Sequence, residues 1–245
     1  MKIYLDAGHG AADSGAVGIA GRLEKSDNLN LALKLAELLK SRGHSVKLSR
    51  TSDTYPSLKQ RADEANAFGA DLFVSLHRNS AQPSANGVEV LYCPQASAKS
   101  KSLAANLSKA ISIACGFRNR GAKCQRAYVL EKTIMPAVTI ESGFVANEDD
   151  NLKFDITNDK LVKAIADTAE KEFGCANASN QPAGGAEDDL RYKTLSGAQL
   201  WILDGSPEEG TELNLISYWW GDVYAKVSDD AGGEYLVRWD KLRKA

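Results

Sequence analysis

The chain has 245 residues, more than one compact domain usually holds, and 43% of them are hydrophobic, so one full core and a small second module both fit. With 30 basic and 32 acidic residues the formal charge is -2, which supplies no long-range field suited to a nucleic-acid backbone and argues against nucleic acid as a partner. No apolar run approaches the ~20 residues needed to cross a bilayer, so no membrane span is expected.

In chain order, Lys2 to Asp6 reads as a short strand running straight into a polar, glycine-broken loop from Gly8 to Gly21. Between Ser26 and Arg42 the apolar Ala32, Leu35, Ala36 and Leu39 fall on one helical face, and Gly43 supplies the stop. Ser45 to Ser49 reads as a second strand and Leu58 to Phe68 as a second helix. Asp71 to Leu76 is nearly continuous in apolar residues, as in a strand buried on both faces. Gly87 to Tyr92 and Ala137 to Glu141 add strands, while Ser97 to Ala114 and Asp159 to Phe173 have helical periodicity. This alternation predicts an α/β fold, a mostly parallel twisted sheet flanked by helices on both faces.

From Cys175 to Asp189 the composition shifts to small, polar and acidic residues without periodicity, which predicts a linker over 175–189. The segments TELNLIS, DVYAKVS and EYLVRWD that follow are short and β-rich, so 190–245 is expected to be a small all-β module. Cys93, Cys115, Cys124 and Cys175 show no CxxC spacing and are read as reduced structural thiols, the alternative being a disulfide such as Cys115 to Cys124. The start, MKIYLDAGHG, enters a strand pattern at once, without a basic and apolar leader. An export address is therefore not expected in the chain as written, unless a leader was removed.

Of the three histidines, His9 and His77 each follow a predicted strand, where α/β sheets place their ligands, and neutral imidazole is the commonest metal ligand. Taken singly, each is more often a satisfied core or loop residue. Glu24, at the mouth of the first helix, can turn back toward His9; two imidazoles and a carboxylate leave a fourth position open, as catalytic zinc requires. It equally suits a first-turn acid favoured by the helix dipole. Glu141, closing PAVTIE, is placed to act as a base or is simply a solvated strand-end acid. His44, in the turn RGHSV, is an ordinary loop histidine, and Arg50 and Arg61 are expected to support the fold, by default through salt bridges.

These motifs carry a resemblance over residues 1–174. DAGHG, GRLEK, DLFVSLHRNS and ESGFVAN, in that order, resemble the motifs of zinc-dependent N-acetylmuramoyl-L-alanine amidases, with lesser matches at Arg50, Arg61 and Gly87. The resemblance implies a phosphorylase/hydrolase-like α/β fold, one zinc ion held by His9, Glu24 and His77, and Glu141 as catalytic acid/base. It further implies bacterial peptidoglycan as the substrate, cut between N-acetylmuramic acid and the L-alanine of the stem peptide. HRNS departs from the family pattern: Arg78 and Ser80 stand where a small or aromatic residue and an alanine are expected, which bears on the shape of the groove. The alternatives are a non-catalytic wall-binding protein and a zinc peptidase acting within the stem peptide.

The C-terminal stretch GTELNLISYWWGDVYAKVSDDAGGEYLVRWDKL resembles bacterial SH3-like domains. Trp201, Trp219, Trp220 and Trp239 there serve either as a binding platform for the wall or as core. An amidase with a linker, a wall-binding module and no leader resembles a phage endolysin, made in the host cytoplasm and released to the wall through holin-type holes.

Overall fold

The computed structural model describes residues 1–174 in full and, beyond them, the backbone of five strands. The chain divides into two compact units, Met1–Ser179 and Asn180–Ala245. The predicted linker, Cys175 and the four tryptophans lie outside the described residues.

The first unit is built on a six-stranded sheet. Its strands are β1 (Lys2–Ala7), β2 (Ser45–Leu48), β3 (Leu72–Asn79), β4 (Val88–Tyr92), β5 (Asn119–Cys124) and β6 (Ala137–Phe144), in the order β2-β1-β3-β6-β4-β5. Every pairing is parallel except β4 with β6, so the sheet is mixed but mostly parallel, in the α/β class that the alternation of elements predicts. The helices are α1 (Glu24–Ser41), α2 (Leu58–Phe68), α3 (Ala98–Cys115), α4 (Tyr128–Lys132), α5 (Glu148–Ile156) and α6 (Asn158–Glu172).

Period-two alternation sends the two halves of each strand to different cores. Ile3, Leu5, Leu72, Val74, Leu76, Val138 and Ile140 face a large core with the apolar stripes of α1, α3 and α6. Tyr4, Phe73, Leu91 and Ala137 face a smaller one beneath α2 and α4, where Tyr4 and Phe73 stack with ring centroids 5.7 Å apart. The smaller cover leaves the carboxyl end of this second face open, and polar residues on it include Asp6, Ser75, His77, Thr139, Glu141 and Glu89. Local signals fix the helix ends: Ser57 and Gln60 form a capping box at α2, and Gly69 ends it at φ 63° in the left-handed region.

The strands run further than their sequence patterns predict. β3 extends through His77 to Asn79 and β6 past Glu141 to Phe144, so His77 lies within its strand rather than just beyond it, and Glu141 lies inside its strand rather than at the end. Cys93 and Cys115 are buried free thiols and Cys124 an exposed one; Cys115 and Cys124 are not paired. No helix among the described residues is long and apolar enough to cross a membrane.

In the second unit, β7 (Arg191–Thr194), β8 (Glu212–Tyr218), β9 (Tyr224–Ser228), β10 (Glu234–Arg238) and β11 (Leu242–Lys244) form an antiparallel sheet in the order β10-β9-β8-β7-β11.

Candidate metal centre

Three elements deliver three donors to the carboxyl rim of the sheet. His9 follows β1, His77 lies in β3 and Glu24 opens α1; one ligand atom from each falls within 4.8 Å of the other two. Glu24 Oε1 accepts from His77 Nδ1 at 2.8 Å and lies 3.2 Å from His9 Nε2. The imidazoles meet edge to face, with centroids 4.9 Å apart.

Each position has a local cause. The start of α1 has no side-chain cap; instead Glu24 N donates to Ala16 O at 3.0 Å and Lys25 N to Ser14 O at 3.1 Å, so the preceding loop satisfies the orphan helix N–H groups. The same loop returns the amide of Ala16 to Glu24 Oε2 at 2.8 Å. His9 adopts φ 63°, a conformation that costs a non-glycine residue roughly 1–3 kcal/mol and persists only where its surroundings over-determine it. Arg61 Nη2 supplies one such restraint by donating to His9 O at 2.9 Å, and Asp13 Oδ2 supplies another by accepting from His9 Nδ1 at 2.9 Å.

Asp13 is a member of the site that sequence reasoning missed. A carboxylate on Nδ1 fixes the tautomer and points Nε2 toward Glu24, the outer-shell arrangement that metal-binding histidines favour. Its only sequence signal is an acid four residues after His9, which an ordinary loop shares.

The protons and charges of the cluster follow from this packing. Burial disfavours the His9 imidazolium, but hydrogen bonds to Glu24 and Asp13 outweigh it and raise the pKa to about 9. His77 is likewise raised, burial again being overcome by Glu24 and Glu141. Burial works to raise Glu24, yet the two imidazoles hold its carboxyl far below the usual carboxylate range. The cluster therefore carries a permanent anion beneath two imidazoles that hold protons a cation would replace.

A zinc ion fits these residues. Tetrahedral zinc with bonds of about 2.0–2.1 Å spaces its donor atoms by roughly 3.3 Å, close to the separations between Glu24 and the two rings. The Glu24 side chain is only 5% exposed, whereas those of His9 and His77 are 25% and 23% exposed, so the open side of the cluster faces solvent. Two glycines leave it room. A Cβ on Gly8 would stand 2.3 Å from His77 Cε1, and one on Gly15 would stand 2.6 Å from His9 Cδ2 and 2.7 Å from Glu24 Oε2. Gly8→Ala is therefore expected to retain its circular-dichroism spectrum and lose most of its zinc by metal analysis. A full complement of one zinc per chain in that variant would contradict this placement.

Glu141 is the neighbour of His77 in the β3–β6 register, and Glu89 is its neighbour in turn across β4. Glu89 accepts from Asn79 Nδ2 and is paired with Arg120 and Lys123. The Glu141 side chain accepts no hydrogen bond among the described residues. Burial pushes its carboxyl up to about 7; positive charge on His77 pulls the other way, and Glu24 and Glu89 add to the rise.

The remaining candidates are structural. Arg61 pairs with Asp6 at 2.6 Å, both buried, as expected for a supporting salt bridge. Arg50 departs from that expectation, since its guanidinium donates to the carbonyls of Ala7, Gly8, Lys25 and Ser52 rather than to a carboxylate. His44 lies against Glu170 at 2.9 Å, away from the cluster. Arg78 turns away from the open face and into the large core, so the departure at HRNS does not project this side chain into the groove.

An α/β sheet carrying two imidazoles and a carboxylate at its carboxyl rim, with one side open to solvent, defines a metal-dependent hydrolase. Residues 3–171 match the N-acetylmuramoyl-L-alanine amidase family, and the chain belongs to it. It is 39% identical over 169 residues to the N-acetylmuramoyl-L-alanine amidase LytC of Bacillus subtilis (strain 168), covering 67% of this chain and 34% of that protein. The chain thus spans about a third of that relative. It is 34% identical over 235 residues to the endolysin of Bacillus phage SPP1, covering 93% of this chain and 85% of that one. Among solved structures, an N-acetylmuramoyl-L-alanine amidase from Clostridium difficile 630 superposes with a TM-score of 0.69 at 34% identity, over 72% of this chain and 98% of that chain.

Proposed function

We propose that the chain hydrolyses the amide between the lactyl group of N-acetylmuramic acid and the L-alanine of the stem peptide in bacterial peptidoglycan. His9, Glu24 and His77 hold one zinc ion, and Glu141 is the general acid and base. The observation that carries this reading is the convergence of three donors beside a carboxyl group that is poised near neutrality. When bound, zinc supplies Lewis acidity toward the amide carbonyl and acidifies water.

The chain's own groups do the rest. Asp13 and Glu24 orient the His9 ring, and the backbone N–H of Arg78, 3.1 Å from Glu24 Oε1, helps to fix that carboxylate. A Glu141 carboxylate oxygen takes a proton from the attacking water and delivers it to the departing alanine nitrogen. A group with a pKa near the working pH serves both halves of that transfer. The fold that carries this chemistry is of the phosphorylase/hydrolase-like type.

The likeness to the phage endolysin runs well past the catalytic unit, which supports a wider reading. In it, 190–245 is an SH3-like wall-binding module joined by a linker over 175–189, and the enzyme is made in the host cytoplasm and reaches the wall through holin-type holes. Digestion of purified walls by the full chain and by a chain ending at Gly174, with released products read by mass spectrometry, tests both parts. Sugar chains freed of peptide, together with peptides beginning at L-alanine, are the expected products. Cuts within the stem peptide would make the enzyme a zinc peptidase, and absence of any product with zinc bound would make it a binding protein. Equal wall retention by the two chains would overturn the targeting role of the tail.

A further inference from the structure

Arg78 directly follows a metal donor, yet alternation along β3 turns its side chain to the opposite face of the sheet, where it is completely buried. There it contacts three separate segments. Nη1 donates to Asp27 Oδ2 at 2.6 Å, Nη2 to Asn151 Oδ1 at 2.7 Å and Nε to the carbonyl of Gly143 at 3.4 Å. The guanidinium lies 4.1 Å from the centroid of the Phe154 ring. Arg22 approaches the same ring at 5.4 Å and donates to the same Asp27 oxygen at 2.7 Å, so two arginines share one carboxylate and one aromatic ring. Burial draws Arg78 down to about 10, which leaves it cationic at neutral pH.

Two of the segments that Arg78 reaches also carry a site residue. Asp27 lies one helical turn beyond Glu24 and on the same side of α1. Gly143 lies two residues beyond Glu141 on β6. Arg78 itself follows His77. The parts held together are thus those that carry Glu24, His77 and Glu141.

We infer that Arg78 is a positioning residue, a rigid fork that clamps the start of α1, the end of β3 and the end of β6 and so sets the spacing of Glu24, His77 and Glu141. Replacing a buried ion pair with well-packed apolar side chains is often neutral for stability, so stability alone gives no reason for an arginine here. A planar group with five donors holds three segments at fixed angles, and an apolar side chain of similar volume does not.

The inference rests on the zinc reading above and is tested by zinc affinity, through competition with a chromogenic chelator, alongside kcat and KM on purified walls. The full-length parent, Arg78→Met, Arg78→Lys and the milder Asn151→Ala are compared at a temperature where circular dichroism shows each folded. Arg78→Met is expected to bind zinc about 10- to 100-fold more weakly and to lose kcat with KM little changed. Arg78→Lys, which retains the charge facing Asp27, is expected to recover part of both, and Asn151→Ala to shift both a few-fold in the same direction. If Arg78→Met does not fold, the other two variants decide. Lowered melting temperatures with parental zinc affinity and parental kcat would overturn the inference. A parent that binds no zinc would overturn the zinc reading itself, and this inference with it.

Discussion

Glu141→Gln is expected to lower kcat by about 10²- to 10⁴-fold, the range that a positioned general acid and base contributes, while zinc remains at one per chain. Zinc is retained because Glu141 is not among the three converging donors. Fold is retained because glutamine keeps the shape of the side chain and removes a carboxylate whose charge is disfavoured by burial and by the nearby Glu24 and Glu89. The variant should therefore melt no lower than the metal-free parent, which separates loss of chemistry from loss of structure. The parent needs Glu141 as the carboxylate, so its rate falls as pH drops through the pKa of that group. Burial pushes that pKa up to about 7, with Glu24 and Glu89 adding to the rise. The glutamine variant should lose this acid limb from its pH profile. Glu141→Asp withdraws the carboxyl group by one methylene, and a misplacement of about 1 Å can itself cost 10²-fold. Turnover by Glu141→Gln within threefold of the parent would remove Glu141 from the mechanism.

Apolar periodicity makes much of this fold legible, and it fails where side chains do not report burial. α1 shows its stripe, but it begins at Glu24 rather than Ser26, because the loop carbonyls of Ser14 and Ala16 replace the serine cap that a sequence reading looks for. The edge strand β5, NRGAKC, is polar and holds no fully buried residue, so nothing in it alternates. α4 is five residues long, too short for a period to emerge, and α5 buries only Asp150 and Phe154. The donors His9, Glu24 and His77 are visible through their places at strand and helix ends and through the family resemblance. Asp13 is invisible because its role is a tertiary contact with no pattern of its own. Arg78 is a different case: it follows a groove residue, which suggests an effect on the groove, yet the period of two along β3 already assigns it to the other face.

The same alternation places Asp6 and Ser75 on the open face beneath the cluster, and there the second large effect is expected. Arg61 and Asp6 are both buried, and Arg61 further donates to the carbonyls of Ala7 at 2.7 Å, His9 at 2.9 Å and Pro56 at 2.9 Å. Arg61→Met would strand the Asp6 carboxylate, with Ser75 Oγ as its remaining partner at 2.8 Å, and leave the His9 and Pro56 carbonyls unpaired, while the Ala7 carbonyl keeps its bond from Arg50. Breaking a buried pair on one side costs about 3–5 kcal/mol, because an uncompensated charge stays behind. Urea denaturation of the full chain in excess chelator should show a loss of that size in the transition of the first unit. Adding Asp6→Asn should restore part of the loss, since the stranded charge is then gone while the unpaired carbonyls remain. The Ala7 and His9 carbonyls flank Gly8, and His9 is held in its left-handed conformation partly by Arg61. The double variant should therefore regain stability while still binding zinc more weakly than the parent. Equal recovery of both would mean that the Arg61–Asp6 pair acts on the fold alone and that the strained His9 backbone does not depend on it.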